Sequence, residues 1–231
     1  MDYVRSYTYV FSSPRWFLNM LFELVCQLIP IIGPIVLLGY RYEVIQELHI
    51  SAGKRYPDFD FNRFMAYATR GLWPFITQML ASLPLTLVFV CMYFIMVAGV
   101  FALVDKNNAD VVIPIAFGVF FLAVILFSLA IALVLIPAAL WAGLAQDFKP
   151  GAIWNFLREY WNLVLWDTVL ATAVNAVFAV LVAFAGLLLF CVGYIFAIIL
   201  IVMAQTHLTW QLYELYLERG GTEVPLKLDG E

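Results

Sequence analysis

Three long stretches without charge constrain the fold more than any other feature of the chain. No Asp, Glu, Lys or Arg occurs between Gly71 and Val104, between Val111 and Gln146, or between Thr168 and Tyr213. An α-helix needs about 20 apolar residues to cross the hydrocarbon core of a bilayer. The third stretch, extended back to Leu163, is long enough for two spans joined by a turn between Gly186 and Gly193. We therefore predict four spans, at 73–104, 111–146, 163–187 and 190–216.

These stretches predict an all-α polytopic transmembrane helical bundle. Lipid offers no hydrogen-bond partner to unpaired backbone groups, which excludes an open sheet. The stretches also lack the alternation of polar and apolar residues that marks a transmembrane barrel. Hydrophobic residues make up 65% of the chain and charged residues 12%, whereas soluble domains contain about half and about a quarter. We expect one integral membrane domain over residues 1–219 and a polar tail over 220–231.

Positive charges between the spans predict the orientation of the chain. Residues 41–72 carry five Lys or Arg and residues 147–161 carry two, whereas residues 105–110 carry a single lysine. Because positively charged loops stay in the cytoplasm, we expect the first two segments and the C-terminus to be cytoplasmic and residues 105–110 to face outward. The net charge of −4 argues against nucleic acid as a partner.

The hydrophobic segment 16–48 is interrupted by helix-breaking residues, namely Pro30, Gly33 and Pro34. A single kinked span would place the N-terminus outside, whereas a short helical hairpin would leave both ends cytoplasmic. Arg5 and Arg15 favour the hairpin by the positive-inside rule. Either arrangement requires the broken backbone to be buried against other helices, away from lipid. Closure of the hairpin would allow Glu23 to pair with Arg41.

Two amphipathic segments, 58–72 and 150–161, precede the first and third long spans. Apolar side chains recur at helical spacing in both, which predicts helices lying in the cytoplasmic interface of the membrane. The alternative is that each segment is the lower end of the span that follows it. The expected interfacial anchors are Phe61, Phe64, Trp154 and Trp161.

A short internal similarity accompanies these segments. The tripeptide Leu-Ile-Pro occurs at 28–30 and again at 135–137, each time before a short apolar helix, a loop containing Asp-Phe, an amphipathic segment and a span. The pattern suggests an internal duplication with parallel repeats. It predicts that Pro137, like Pro30, breaks a helix.

Four sequence segments carry a resemblance to a known family: "SSPRW", "IPIIGPIVLLGYRYEVI", "YPDFDF" and "AQTHLTWQLYE". Together they resemble the bacterial and archaeal membrane family called domain of unknown function 4013. The resemblance implies a compact bundle of five or six helices in the cytoplasmic (inner) membrane of a prokaryote. It implies no particular activity, and it assigns no functional residue.

The chain contains polar residues in or near the spans that are candidates for a functional site, and it contains no recognised catalytic motif. The sequence lacks H-E-x-x-H, G-x-S-x-G, a phosphate-binding glycine loop and C-x-x-C, which are signatures of common enzyme sites. We therefore predict no catalytic residues, no metal site and no cofactor. Ionisable or polar residues within membrane segments are functional candidates by default. The candidates here are Glu23, Arg41, Asp167, His207 and Gln211.

The sequence is consistent with two functions. The first is a non-catalytic accessory, scaffold or lipid-interacting membrane subunit, whose partners are membrane lipids and either a second copy of the chain or another membrane protein. The second is a small transporter or channel for a hydrophobic or lipid-like cargo, with its site at the proline-broken helices, since broken helices often form transporter sites.

Overall fold

The computed structural model of the chain describes residues 1–104 and 108–227. These residues form helices, two of them short 3-10 helices at Tyr9–Ser12 and Phe61–Arg63, and contain no strand. The seven α-helices of this part of the chain are α1 (Tyr3–Thr8), α2 (Trp16–Gln27), α3 (Ile32–Ile50), α4 (Phe64–Leu103), α5 (Ala109–Ala145), α6 (Pro150–Leu188) and α7 (Phe190–Glu218). The predicted outward loop includes residues 105–107, which lie outside the described residues.

The four longest helices each contain a candidate membrane span. These spans are Phe61–Ala102, Asp110–Ala145, Pro150–Leu188 and Gly193–Glu218. The all-α polytopic bundle predicted from the uncharged stretches is therefore confirmed. Helix α4 has 40 residues and, at a rise of about 1.5 Å per residue, is about 60 Å long. Because the hydrocarbon core is only about 30 Å thick, much of α4 extends beyond it.

The bundle is tightly packed only at one end, which we call the base. Helices α4 and α5 pack as one antiparallel pair and α6 and α7 as another, with α3 contacting α4, α5 and α7 between them. The buried core is drawn mainly from α3, the early turns of α4 and α6, and the later turns of α5 and α7, and α2 and the 3-10 helix Tyr9–Ser12 add further members. The described residues of α4 beyond residue 78, by contrast, are all half-buried or exposed.

Two glycines allow the backbones of α3 and α4 to touch at the base. A Cβ atom on Gly39 would lie 1.8 Å from the carbonyl oxygen of Tyr67, and a Cβ on Gly71 would lie 1.8 Å from that of Ile35. Only glycine fits at either position, because any larger side chain would overlap backbone atoms. The close crossing of the two helices fixes the position of α3 within the bundle.

The N-terminal hydrophobic segment forms two helices with a turn between them, which is the hairpin arrangement. Helix α2 ends at Gln27 and α3 begins at Ile32. Ile31 takes a positive φ of 64°, and Pro30 lies in the turn. Pro34 falls in the first turn of α3, where the missing N–H of proline breaks no helical hydrogen bond.

The two amphipathic segments differ in how they join the spans that follow them. Helix α4 runs without a break from Phe64 to Leu103, through Pro74 and Pro84. Segment 150–161 lies in the first part of α6, which a kink at Val164, with non-helical backbone angles (φ −135°, ψ 19°), separates from the span that follows. Its apolar face, which includes Ile153, is buried in the protein core. The prediction of a separate helix was therefore wrong for 58–72, whereas for 150–161 it agrees with the kink in α6. The protein core, and not lipid, covers the apolar face of 150–161, because helical periodicity marks an apolar face without identifying what covers it.

Pro137 does not break a helix. Helix α5 continues from Ala109 to Ala145 through Pro114 and Pro137. A proline can be accommodated in a membrane helix when its neighbours satisfy the freed backbone groups, and residues 138–142 after Pro137 are buried in the base. The break predicted from the similarity of 28–30 and 135–137 was wrong, so this similarity has no counterpart in the helical geometry.

Candidate functional site

A partly open cavity lies where α3, α4, α5 and α7 meet, and we call it the Arg41 cavity. It encloses about 350 Å³, which is within the range of small-molecule sites. Arg41 is the only charged residue among those that line it. The remaining lining residues are Leu38, Tyr42, Ile45, Gln78, Ser128, Ile131, Ala132, Leu135, Ile136, Val202, Gln205, Thr206 and Thr209.

Arg41 is held in place by Glu23 of α2, behind the cavity. The guanidinium Nη2 of Arg41 donates to Glu23 Oε2 over 3.4 Å. The Glu23 side chain is only 1% exposed, whereas that of Arg41 is 21% exposed. The pair confirms the contact expected if the hairpin closes, and it attaches α2 to α3.

This ion pair leaves two buried polar atoms unsatisfied. Glu23 Oε1 and Arg41 Nε are both buried and have no hydrogen-bond partner. Buried polar groups are nearly always hydrogen-bonded, so an unsatisfied group in a native structure needs an explanation. Arg41 therefore has hydrogen-bonding capacity that its protein neighbours do not use.

The sequence model of one protein family, described as "Protein of unknown function (DUF4013)", matches residues 22–191. The chain belongs to the DUF4013 family. The stretch that matches includes Glu23, Arg41 and all of the cavity lining contributed by α3, α4 and α5. The lining residues of α7, Val202 to Thr209, lie beyond it. No curated protein and no solved structure matches the chain significantly.

A second, stronger ion network of this DUF4013 protein joins α3 to α4. Arg63 and Arg70 both donate to the carboxylate of Glu43, and Arg70 also donates to Gln46 Oε1. Arg70 is 4% exposed and Glu43 is 8% exposed. These residues were not among the sequence candidates, yet their network fixes α3 beside the Arg41 cavity.

Asp167 also pairs at the base, with Arg219 of α7. Both carboxylate oxygens accept from the Arg219 guanidinium, one of them over 3.1 Å. Helix α7 returns antiparallel to α6, so its last turn lies beside the early turns of α6. Asp167 is not among the residues that line the Arg41 cavity, and its ion pair joins α6 to the end of α7.

His207 and Gln211 attach the N-terminus to α7. Ser6 Oγ and Gln211 Nε2 each lie 3.0 Å from His207 Nδ1, and the ring of Tyr9 packs 4.3 Å from that of His207. Tyr9 also donates to the carbonyl of Met203 over 3.0 Å. Through these contacts, His207 and Gln211 form the point at which α1 and the 3-10 helix after it dock onto α7.

The four expected anchors divide between surface and core. Phe61 and Trp154 are 45% and 54% exposed, whereas Phe64 is half-buried. Trp161 donates from its indole nitrogen to the carbonyl of Leu133 over 2.9 Å. This hydrogen bond joins α6 to α5, so Trp161 contributes to packing within the protein.

Two polar contacts at the base had no signal in the sequence, because each joins distant segments. His49 Nδ1 lies 2.7 Å from Glu214 Oε1, and its hydrogen bond to Glu214 raises the pKa of His49 despite burial. Asp58 accepts from Ser13 and from Asn19. Burial would raise the pKa of Asp58, but these hydrogen bonds outweigh it and lower that pKa.

Proposed function

We propose that this protein is a non-catalytic, lipid-interacting membrane subunit that acts as a scaffold or accessory component in the cytoplasmic membrane of a prokaryote. The observation that carries the proposal is the surface of the α4–α5 pair outside the base. No residue of the most apolar 18-residue window is buried in either helix. We call this part of the protein the apolar arm.

The arm exposes large apolar side chains around the helix axis. Phe94 and Ile95 are adjacent in α4 and are 64% and 72% exposed, although successive helical residues point about 100° apart. Phe117 and Phe121 of α5 are 70% and 67% exposed. Inside the pair, the rings of Phe89 and Phe127 stack 4.9 Å apart. The arm is thus two helices thick, with an outer surface suited to acyl chains.

The base supplies what a scaffold needs besides the arm. The ion network of Glu43 and the Gly39 crossing fix α3 against α4, while the docked N-terminus covers part of α7. A rigid base on a lipid-facing arm can hold a second membrane component at a set position and depth. This inference does not require chemistry in the membrane interior.

Native mass spectrometry of the protein, extracted gently from its own membrane at endogenous expression, tests the proposal. We expect either a stoichiometric second protein or a defined homo-oligomer, with lipid retained. A monomer without any retained lipid or protein partner would overturn the proposal. An Ile95→Ser, Phe117→Ser double variant serves as the probe of the arm, and it should lower membrane retention or partner recovery.

A second candidate is a small transporter for a hydrophobic or lipid-like cargo. The Arg41 cavity favours it, because its lining comes from both helical pairs and from α3. Reconstituted vesicles loaded with a fluorescent phospholipid analogue provide the assay. Movement of the analogue between leaflets that depends on the protein and is lost in Glu23→Gln at unchanged folding would favour transport over the scaffold.

A further inference from the structure

We propose that the Arg41 cavity binds an amphiphile with one anionic oxygen headgroup on an acyl chain, such as a phospholipid phosphate or a fatty-acid carboxylate. The inference deepens the lipid-interacting function proposed above and rests on it. It assigns Arg41 to the headgroup and the apolar walls of the cavity to the first part of the chain.

The unused hydrogen-bond donors of the Arg41 guanidinium indicate that the headgroup is anionic. A guanidinium carries five N–H donors, and the protein acceptor that Arg41 meets is Glu23 Oε2 at 3.4 Å. Charge-assisted hydrogen bonds are normally about 2.7–2.9 Å long, so this contact is loose. The buried Nε of Arg41 has no partner. The Arg41 side chain as a whole remains 21% exposed, so anionic oxygens in the cavity can pair with the guanidinium donors that are accessible there and that Glu23 leaves unused.

The residues that line the cavity indicate the sign of the charge on its ligand. Among the residues that the structure describes, Arg41 contributes the only full charge to the cavity surface, while Glu23 is not among the lining residues. A cationic ligand would therefore meet Arg41 before it reached any carboxylate. The cavity selects for an anion at the Arg41 end.

The remaining lining identifies the rest of the ligand. Apolar side chains from three helices, including Leu38, Ile131 and Val202, form most of the wall. Polar groups are supplied by Gln78, Ser128 and Gln205, among others. A hydrophilic anion such as free phosphate would leave the apolar wall facing water, whereas an acyl chain would cover it and bury apolar area.

The position of the cavity gives the ligand a route from the bilayer. Gln78 lines the cavity from α4, and the next two residues of α4, Met79 and Leu80, are 46% and 44% exposed on the outside. The cavity is partly open. A lipid can thus reach Arg41 sideways, at the boundary between the base and the apolar arm.

The test is native mass spectrometry of the full chain, purified and delipidated in detergent, with three separate probes. These are phosphatidylglycerol, palmitate and inorganic phosphate. We expect the wild type to retain an acyl-chain anion, and Arg41→Gln to lower its affinity roughly tenfold or more, which is the scale of losing a hydrogen bond to a charged group. Retention of phosphatidylglycerol alone identifies a phospholipid headgroup, and retention of palmitate alone identifies a free fatty acid.

Two further variants make the test specific. Ala132→Phe fills the cavity and leaves the Arg41–Glu23 pair in place, so it should also reduce binding even if Arg41→Gln fails to fold. Arg55→Gln removes the same charge from a residue that is 77% exposed and lines a separate surface cavity with Lys54 and Arg5. Its binding should equal that of the wild type.

Three results would overturn the inference. They are equal retention by wild type, Arg41→Gln and Ala132→Phe, binding of inorganic phosphate as tightly as the amphiphiles, and loss of binding only in Arg55→Gln. In each case, recovery of a partner protein or homo-oligomer from the native membrane would leave the proposed scaffold function standing. Failure of the inference and failure of the function are therefore separable.

Discussion

The backbone nitrogen of Asp2 donates a hydrogen bond to Gln211 Oε1 over 2.7 Å, across 209 positions of sequence. The amide of Gln211 returns a hydrogen bond to the carbonyl of Asp2 over 3.0 Å. This reciprocal pair places the N-terminus beside the last turns of α7. The two regions therefore lie at the same end of the bundle.

We predict that the N-terminus and the end of α7 face the same compartment, and charge in the loops makes that compartment the cytoplasm. Reporter fusions at each end, one active only in the cytoplasm and one active only outside it, measure this directly. Both fusions should report the cytoplasm. Opposite locations for the two ends would contradict the hairpin of α2 and α3 as well as the orientation.

Replacement of Gly39 by alanine should destabilise the base. The added Cβ would lie 1.8 Å from the carbonyl oxygen of Tyr67, and relief requires the backbones of α3 and α4 to separate. Overpacking of this kind costs about 1–3 kcal/mol, and contact with backbone favours the upper end. Denaturant unfolding in detergent micelles measures the loss of free energy of unfolding.

The matched control for Gly39 is Gly118 of α5, which also lies inside a helix. A Cβ on Gly118 would meet no atom within 4 Å. Gly118→Ala should leave stability unchanged or increase it by up to about 1 kcal/mol, since alanine favours the helix. Equal losses in the two variants would show that helix crossing at Gly39 is not what limits stability.

Much of this fold follows from the sequence because hydrophobic length is a direct physical requirement of the bilayer. The spans and the turn near Gly186 were predicted from runs without charge, and the Glu23–Arg41 pair from the hairpin. The apolar periodicity of 150–161 correctly predicts a helix with one apolar face. It does not tell whether lipid or the protein core covers that face, because both present apolar surfaces. The helix break predicted at Pro137 does not occur, because neighbouring helices can support a proline within a helix.

The candidate site was only partly within reach of the sequence. Glu23 and Arg41 can be selected from the sequence because they are charged residues within a hydrophobic segment, where charges are costly. The cavity beside them depends on Gln78, Ser128 and Gln205, which come from three different helices. Their convergence is set by the crossing of α3 and α4, and no local pattern records it.

Neutralising Glu43 should cost more than neutralising an exposed acid. Arg70 is 4% exposed and donates to Glu43 over 3.3 Å, so Glu43→Gln removes a carboxylate that faces a buried guanidinium. Breaking a buried ion pair in this way costs about 3–5 kcal/mol. Asp147→Asn, at an exposed pair with Lys149, should cost far less, because solvent screens exposed ion pairs. Similar thermal unfolding of the two variants would contradict a structural role for the network.

The stability of the base should fall as pH rises from neutral values. Glu214 accepts a hydrogen bond from His49 and raises the pKa of His49 in the folded protein, an effect that outweighs burial, while Glu223 adds a smaller contribution. The unfolded chain has a His pKa of about 6.5. The folded state therefore binds the proton more tightly, and the resulting stabilisation is complete below the unfolded pKa. It is lost as pH rises through the folded pKa.

Denaturant unfolding at a series of pH values from 5.5 to 8.5, chosen to bracket the His pKa of about 6.5, measures this dependence. The expected change is at most on the order of 1 kcal/mol for a partly exposed pair. His49→Gln should remove the slope and leave the rest of the profile in place. An unchanged slope in His49→Gln would contradict the assignment of the pH dependence to the His49–Glu214 contact.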